Sequence, residues 1–123
     1  MQFASVRIIT GDVDRLVGFY EGLTGLTADR PAPVFATLAT STGSTLAIGH
    51  TSTAPFGDHT PQPGGGAAII EFLVNDVEEA FVRARELGAE PVLEPTTMPW
   101  GNRSAIVRDP DGTLVNLFRR PTS

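Results

Sequence analysis

The chain has 123 residues and a mass of 13.0 kDa, enough for a single domain, 1–123, and too little for two full cores. Hydrophobic residues make up 41% and the mean hydropathy is +0.02, which excludes wholesale disorder, and no apolar run reaches the roughly 18 residues of a membrane span. Nine scattered cations, all arginine, against 14 acidic residues give a net charge of −5 and argue against nucleic acid; without cysteine, disulfide, thiol and cysteine–zinc chemistry are excluded.

In chain order, Ser5 to Thr10 alternates as a half-buried strand does. Asp12 follows as a helix N-cap, with an apolar stripe at Val13, Leu16, Val17, Tyr20 and Leu23, and Gly25 is the stop. Val34 to Ala39 and Thr45 to Ile48 are strand-like, joined by a Ser41-Thr42-Gly43-Ser44 turn. His50 to Gly66 is rich in Thr, Pro and Gly and reads as a connector. Its closing Gly64-Gly65-Gly66 precedes a strand, so it lacks the helix N-terminus that a phosphate cradle requires.

The second half repeats the first. Ile69 to Val74 is a strand, and Asp76 with Glu79 makes a capping box. The stripe Val77, Ala80, Phe81, Ala84 and Leu87 ends at Gly88. Asp76 is Asp12 shifted by 64, and the same shift superposes both strands and all five stripe positions. Pro91 to Glu94, Arg103 to Arg108 and Thr113 to Phe118 complete the chain, the last two joined by a type I turn at Asp109-Pro110-Asp111-Gly112. The predicted class is α+β, two βαβββ modules at 1–49 and 67–123 with a connector at 50–66. A plain α+β sandwich with an ordinary Asp-Pro-Asp-Gly hairpin is the alternative.

This order resembles the vicinal oxygen chelate superfamily, which includes glyoxalase I, extradiol dioxygenases, fosfomycin-resistance enzymes and bleomycin-resistance proteins. The resemblance rests on Gly11-Asp12-Val13-Asp14 before Phe19-Tyr20, on Val74-Asn75-Asp76-Val77, on Leu87-Gly88-Ala89, on Met98-Pro99-Trp100-Gly101 and on the Asp109 to Gly112 turn. It covers nearly the whole chain and implies a cupped, eight-stranded partial barrel, helices outside, a small-molecule cavity within and a homodimer. It also implies where a metal would be held in metal-dependent members. One ligand stands seven residues before each Asp cap, and a Glu four residues after the turn glycine. Those positions are Ser5, Ile69 and Asn116 here, with Ala47 at the inner place of the first module. A hydroxyl, a sec-butyl group and a neutral amide are no substitute for two imidazoles and a carboxylate. His50 and His59 read as exposed loop residues despite Asp58 beside His59. No cofactor and no metal are expected.

Alternation adds an expectation of its own. With Val6 and Ile8 toward the first helix, Ser5, Arg7 and Ile9 face the cavity; with Ile70, Phe72 and Val74 toward the second, Ile69, Glu71 and Leu73 do so. The last strand adds Leu114, Asn116 and Phe118. Arg7 and Glu71, each five residues before its cap, pair with each other or neighbours, or else meet a ligand. In the second case Arg7 anchors an anionic or carbonyl group, and Glu71 accepts a hydrogen bond or acts as a base. Trp100 stacks on a planar ligand or packs the barrel end, Phe56 is a candidate lid residue, and Asn102 and Arg103 reach the rim. Tyr20 is expected in the core, and Asp109 and Asp111 serve the turn.

The leading expectation is a metal-free binder of a small, planar or hydrophobic molecule such as an antibiotic. A metal-independent isomerase, cyclase or lyase using Arg7 and Glu71 is the alternative, ahead of a metal-dependent glyoxalase-like lyase or dioxygenase. No secretion signal is visible, so a cytoplasmic location is expected.

Overall fold

The structure is a computed structural model in which residues 1–53, 62 and 68–121 are described. Phe56, Asp58, His59 and the Gly64 to Gly66 run lie outside the described residues. The chain divides into two compact units, Met1–Pro63 and Gly64–Ser123.

The first unit contains β1 (Val6–Thr10), α1 (Val13–Thr24), β2 (Asp29–Ala32), β3 (Phe35–Ala39) and β4 (Thr45–His50), and a 3-10 turn follows at Thr51–Thr53. The sheet order is β1-β4-β3-β2, with β1 parallel to β4 and the other pairs antiparallel. Helix α1 starts because the Asp12 carboxylate accepts the free Arg15 amide at 3.1 Å, satisfying a donor with no partner inside the helix. It stops at Gly25, whose φ of 75° is left-handed and whose amide closes on the Glu21 carbonyl. Leu16, Val17 and Tyr20 of its stripe are buried, as are Ile8, Ala36, Leu38 and Ile48, with α1 packed on β3 and β4. Phe19 is buried too and meets the Tyr20 ring edge-on at 5.0 Å.

Strand β2 is not visible as a strand in Asp29-Arg30-Pro31-Ala32, which has neither alternation nor β-branched residues. Pairing with β3 makes it a strand, and its place at the sheet edge accommodates a proline that donates nothing to the ladder. The Arg30 guanidinium ties this edge to the helix through Asp14, at 2.7 Å.

The second unit repeats the plan with β5 (Ile69–Leu73), α2 (Val77–Glu86), β6 (Glu90–Thr97), β7 (Arg103–Arg108) and β8 (Leu114–Arg119). Its order, β5-β8-β7-β6, is that of the first sheet, so the two βαβββ modules expected from the repeat are present. The Asp76 carboxylate caps α2 through the Glu79 amide at 3.0 Å. Val77, Phe81 and Ala84 are buried, with Ala105, Val107, Val115 and Leu117 on the facing strands. Strand β6 runs past the expected Glu94 to Thr97, with Pro91 and Pro95 and register shifts along it, features that blunt an edge. In the last turn Asp109 is buried and accepts the amides of Asp111 and Thr113, both at 2.9 Å, the local role expected of it.

Replacing Asp76 with Ala leaves the Glu79 amide without its acceptor. A loss of about 0.5–2 kcal/mol is expected in urea unfolding, and an unchanged midpoint would show that the cap does not hold α2.

Candidate functional site

In each unit the helix covers one face of the sheet, and the residues of opposite parity form the other face. On the first sheet, register places Arg7 beside Ala47 and Ile9 beside Gly49, and Gly49 is also opposite Phe35. The face turned away from the helix therefore carries Arg7, Ile9, Phe35, Thr37, Ala47 and Gly49, of which Arg7 is exposed and Ala47 and Gly49 are buried. Gly49 is needed there. A Cβ at this position would come within 2.9 Å of Thr53 Oγ1 and 3.3 Å of Arg7 Cδ, with the Phe35 ring at 3.6 Å. The aliphatic stem of Arg7 lies over the space that the glycine leaves, and the residue is exposed. Among the described residues of this unit, its guanidinium has no hydrogen bond or ion pair. Sequence alternation along β4 would have placed Gly49 beside Ala47, but nothing in it signals that Arg7 folds over that spot.

On the second sheet, Glu71 stands beside Asn116 across the parallel β5–β8 pair, and Asn116 Nδ2 donates to Glu71 Oε2 at 2.9 Å. This is the alternative in which Glu71 pairs with a polar neighbour. The flanking positions are apolar: Ile69 beside Leu114, Leu73 beside Phe118, and Ile106 across from Asn116. Ile69 and Leu73 are 44% and 55% exposed, unusual for large aliphatic side chains on a strand. The Arg120 guanidinium lies 6.0 Å above the Phe118 ring. Asn116 Oδ1 is buried and receives no hydrogen bond from the described residues, a deficit that costs about 1–3 kcal/mol in a folded chain.

The positions at which the resemblance implies metal ligands are occupied by an exposed Ser5 just ahead of β1, a buried Ala47, the half-exposed Ile69 and the amide of Asn116. The donor set does not fit a divalent cation. Among the described residues no group of three or more His, Asp or Glu side chains comes together. His50 Nδ1 is engaged locally, accepting the Ser52 amide at 3.1 Å and lying 2.9 Å from Ser52 Oγ.

Trp100 is 66% exposed, so of its two expected roles the packing one has no support in the structure. It sits on the turn between β6 and β7, closed by bonds from the Met98 amide to the Asn102 carbonyl (2.7 Å) and from the Gly101 amide to the Met98 carbonyl (2.8 Å). Gly101 has a φ of 99°, and Pro121 packs where a Cβ would be, bracing the turn from below. The turn lies at the end of the sheet where Leu73 meets Phe118. Asn102 is half-buried and contributes its carbonyl to that turn. Arg103 points the other way. Its Nε donates to Glu78 Oε1 of α2 at 2.6 Å, with Nη2 on the same oxygen and Nη1 on Thr97 Oγ1 at 3.1 Å. It is a strut between sheet and helix rather than a residue of the open face.

A family model described as the glyoxalase/bleomycin resistance protein/dioxygenase superfamily matches residues 2–117. The chain belongs to this superfamily. A solved family enzyme from Burkholderia phytofirmans PsJN is similar with a TM-score of 0.84 at 19% identity, covering 94% of this chain and 96% of its own. A superfamily member from Sphaerobacter thermophilus DSM 20745 has a TM-score of 0.76 at 26% identity, covering 98% of each chain. TioX from Micromonospora sp. ML1 has a TM-score of 0.72 at 26% identity, covering 98% of this chain and 99% of its own. No protein of curated function matches.

The Arg103 hydrogen bond holds the Glu78 carboxyl below its ordinary value of 4.5, assisted by a backbone hydrogen bond and by the charges of Arg103 and Arg119. A carboxyl depressed in the folded state contributes stability above its unfolded pKa and loses it as pH falls through the folded pKa. The stability difference between wild type and Glu78→Gln should therefore be constant near neutrality and shrink below pH 4.5, and fade in high salt. Urea unfolding across that range is the check, and a difference that grows in acid would contradict the strut.

Proposed function

We propose that the protein binds small organic molecules on the face of a sheet turned away from its helix, without the help of a metal, Arg7 of the first sheet holding an anionic or carbonyl group. The observation that carries this reading is the Arg7 side chain itself. Its stem is seated over Gly49, and among the described residues of its unit its fork of donors has no partner. Glu71 supplies an acceptor on the second sheet, where exposed aliphatic side chains suit an apolar frame. Trp100, presented on a braced turn, suits stacking on a planar group. Superfamily membership supports a small-molecule role without naming the molecule, since one fold hosts many sites.

The absence of a metal from the chemistry is proposed on the donor set, Ser5, Ala47, Ile69 and Asn116. A second copy of the chain is proposed as its partner, because β1 and β5 are edge strands of their sheets and carry exposed Val6, Ile69 and Leu73. Elemental analysis and sedimentation of one untagged preparation test both. Near-stoichiometric metal would overturn the first, and a clean 13.0 kDa species at micromolar concentration the second.

A thermal-shift screen with planar aromatic carboxylates tests the anchor, because a bound ligand raises apparent stability by mass action. Arg7→Met should abolish the shift given by the hits while leaving the unliganded melting temperature nearly unchanged. Retention of affinity by that variant would remove Arg7 from the site.

A further inference from the structure

We infer that the open face of the second sheet is a subsite for a protonated amine or another strong N–H donor carried on an apolar frame. This inference rests on the small-molecule reading above and names the class of group that the ligand presents here. Two observations meet at one place. The Glu71 carboxylate is held at Oε2 by the Asn116 amide at 2.9 Å, and it stands exposed between the half-exposed Ile69 and Leu73. Both oxygens of an ionised carboxylate accept, and the hydrogen bond from Asn116 engages one of them while orienting the other. A fixed anion flanked by aliphatic side chains selects a cation whose body is hydrophobic over a hydrated inorganic one.

The second observation is the state of Asn116. Its Nδ2 faces Glu71, and its Oδ1 is buried with no donor among the described residues. An aliphatic residue of the same size at this central position would avoid that deficit, among neighbours that are already apolar at Leu114, Ile106 and Phe118. The unsatisfied oxygen is therefore stability given up, and the return visible in the structure is the orientation of Glu71. Such a trade marks a site rather than a core. The acceptor left accessible by this pair is the Glu71 carboxylate, so at this place the face receives a donor. Asn116 acts here as a positioning residue and Glu71 as the group that meets the ligand.

The experiment compares three probes of one shape, 2-(1-naphthyl)ethylamine, 1-naphthylacetate and 1-ethylnaphthalene, by calorimetric titration and thermal shift on the full chain. The amine should bind at least tenfold more tightly than the neutral hydrocarbon, and Glu71→Gln should erase that advantage while leaving hydrocarbon binding in place. Asn116→Leu should raise the melting temperature by a few degrees yet weaken the amine several-fold, a split that a purely structural asparagine would not give. Amine binding that survives in Glu71→Gln, or a melting temperature that falls in Asn116→Leu, would overturn the subsite. Binding of naphthylacetate through Arg7 with no preference for the amine would overturn it alone and leave the small-molecule reading standing. No binding by any of the three would overturn both.

Discussion

Everything in each unit depends on the helix being fastened to one face of its sheet. Leu16, Val17 and Tyr20 of α1 are buried with Ile8, Ala36, Leu38 and Ile48, and Val77, Phe81 and Ala84 of α2 with Ala105, Val107, Val115 and Leu117. Burial of a large aliphatic side chain contributes roughly 1.5–3 kcal/mol, so these sets decide which way every strand is turned. A strand has a period of two, and a slip of one residue would carry the whole apolar set to the other side. Once Ile8 is under the helix, Arg7 and Ile9 have no choice of face. Once Val115 and Leu117 are buried, Asn116 must join Glu71 on the open side.

That constraint explains what was legible in the sequence. The repeat at a spacing of 64, the Asp caps, the stripes and the turn glycines all follow from local rules, and the division into two modules follows from them. The faces of Arg7, Glu71 and Asn116 were legible for the same reason. What stayed hidden depends on partners distant in sequence. Strand β2 exists because β3 pairs with it, and Asp29-Arg30-Pro31-Ala32 carries no mark of that. The exposure of Trp100 is set by a turn closed on Asn102 and braced by Pro121, contacts that no spacing encodes. Whether Glu71 would meet Arg7, a neighbour or a ligand was open to any of the three, and the Asn116 amide closes that choice for one of its oxygens.

The two units share a topology and differ in chemistry at equivalent places. Arg7 of β1 is in register with Ala47 of β4, and Glu71 of β5 is in register with Asn116 of β8. In the first pair a methyl group gives the charged residue nothing to hold, and the steric space at Gly49 disposes only of its stem. In the second pair an amide fixes the charged group itself. One face thus presents a cation with no partner for its head among the described residues, the other an anion held by a neighbouring amide. The cost of fixing a side chain at the moment of binding is of order 0.5–1.5 kcal/mol for a flexible one, so a carboxylate already held by an amide starts ahead of a group that must be ordered on binding.

The same comparison bears on the metal. A ligand set needs strong donors, and the positions that the resemblance implies hold instead a hydroxyl, a methyl, a sec-butyl group and an amide already committed to Glu71. Restoring one of them would not restore the set, since Asn116 could turn its oxygen toward a cation only by withdrawing its amide from the carboxylate beside it. The open faces are therefore best understood by the groups that are present. These are a guanidinium over a glycine, a carboxylate held by an amide, and aliphatic side chains left in solvent around them.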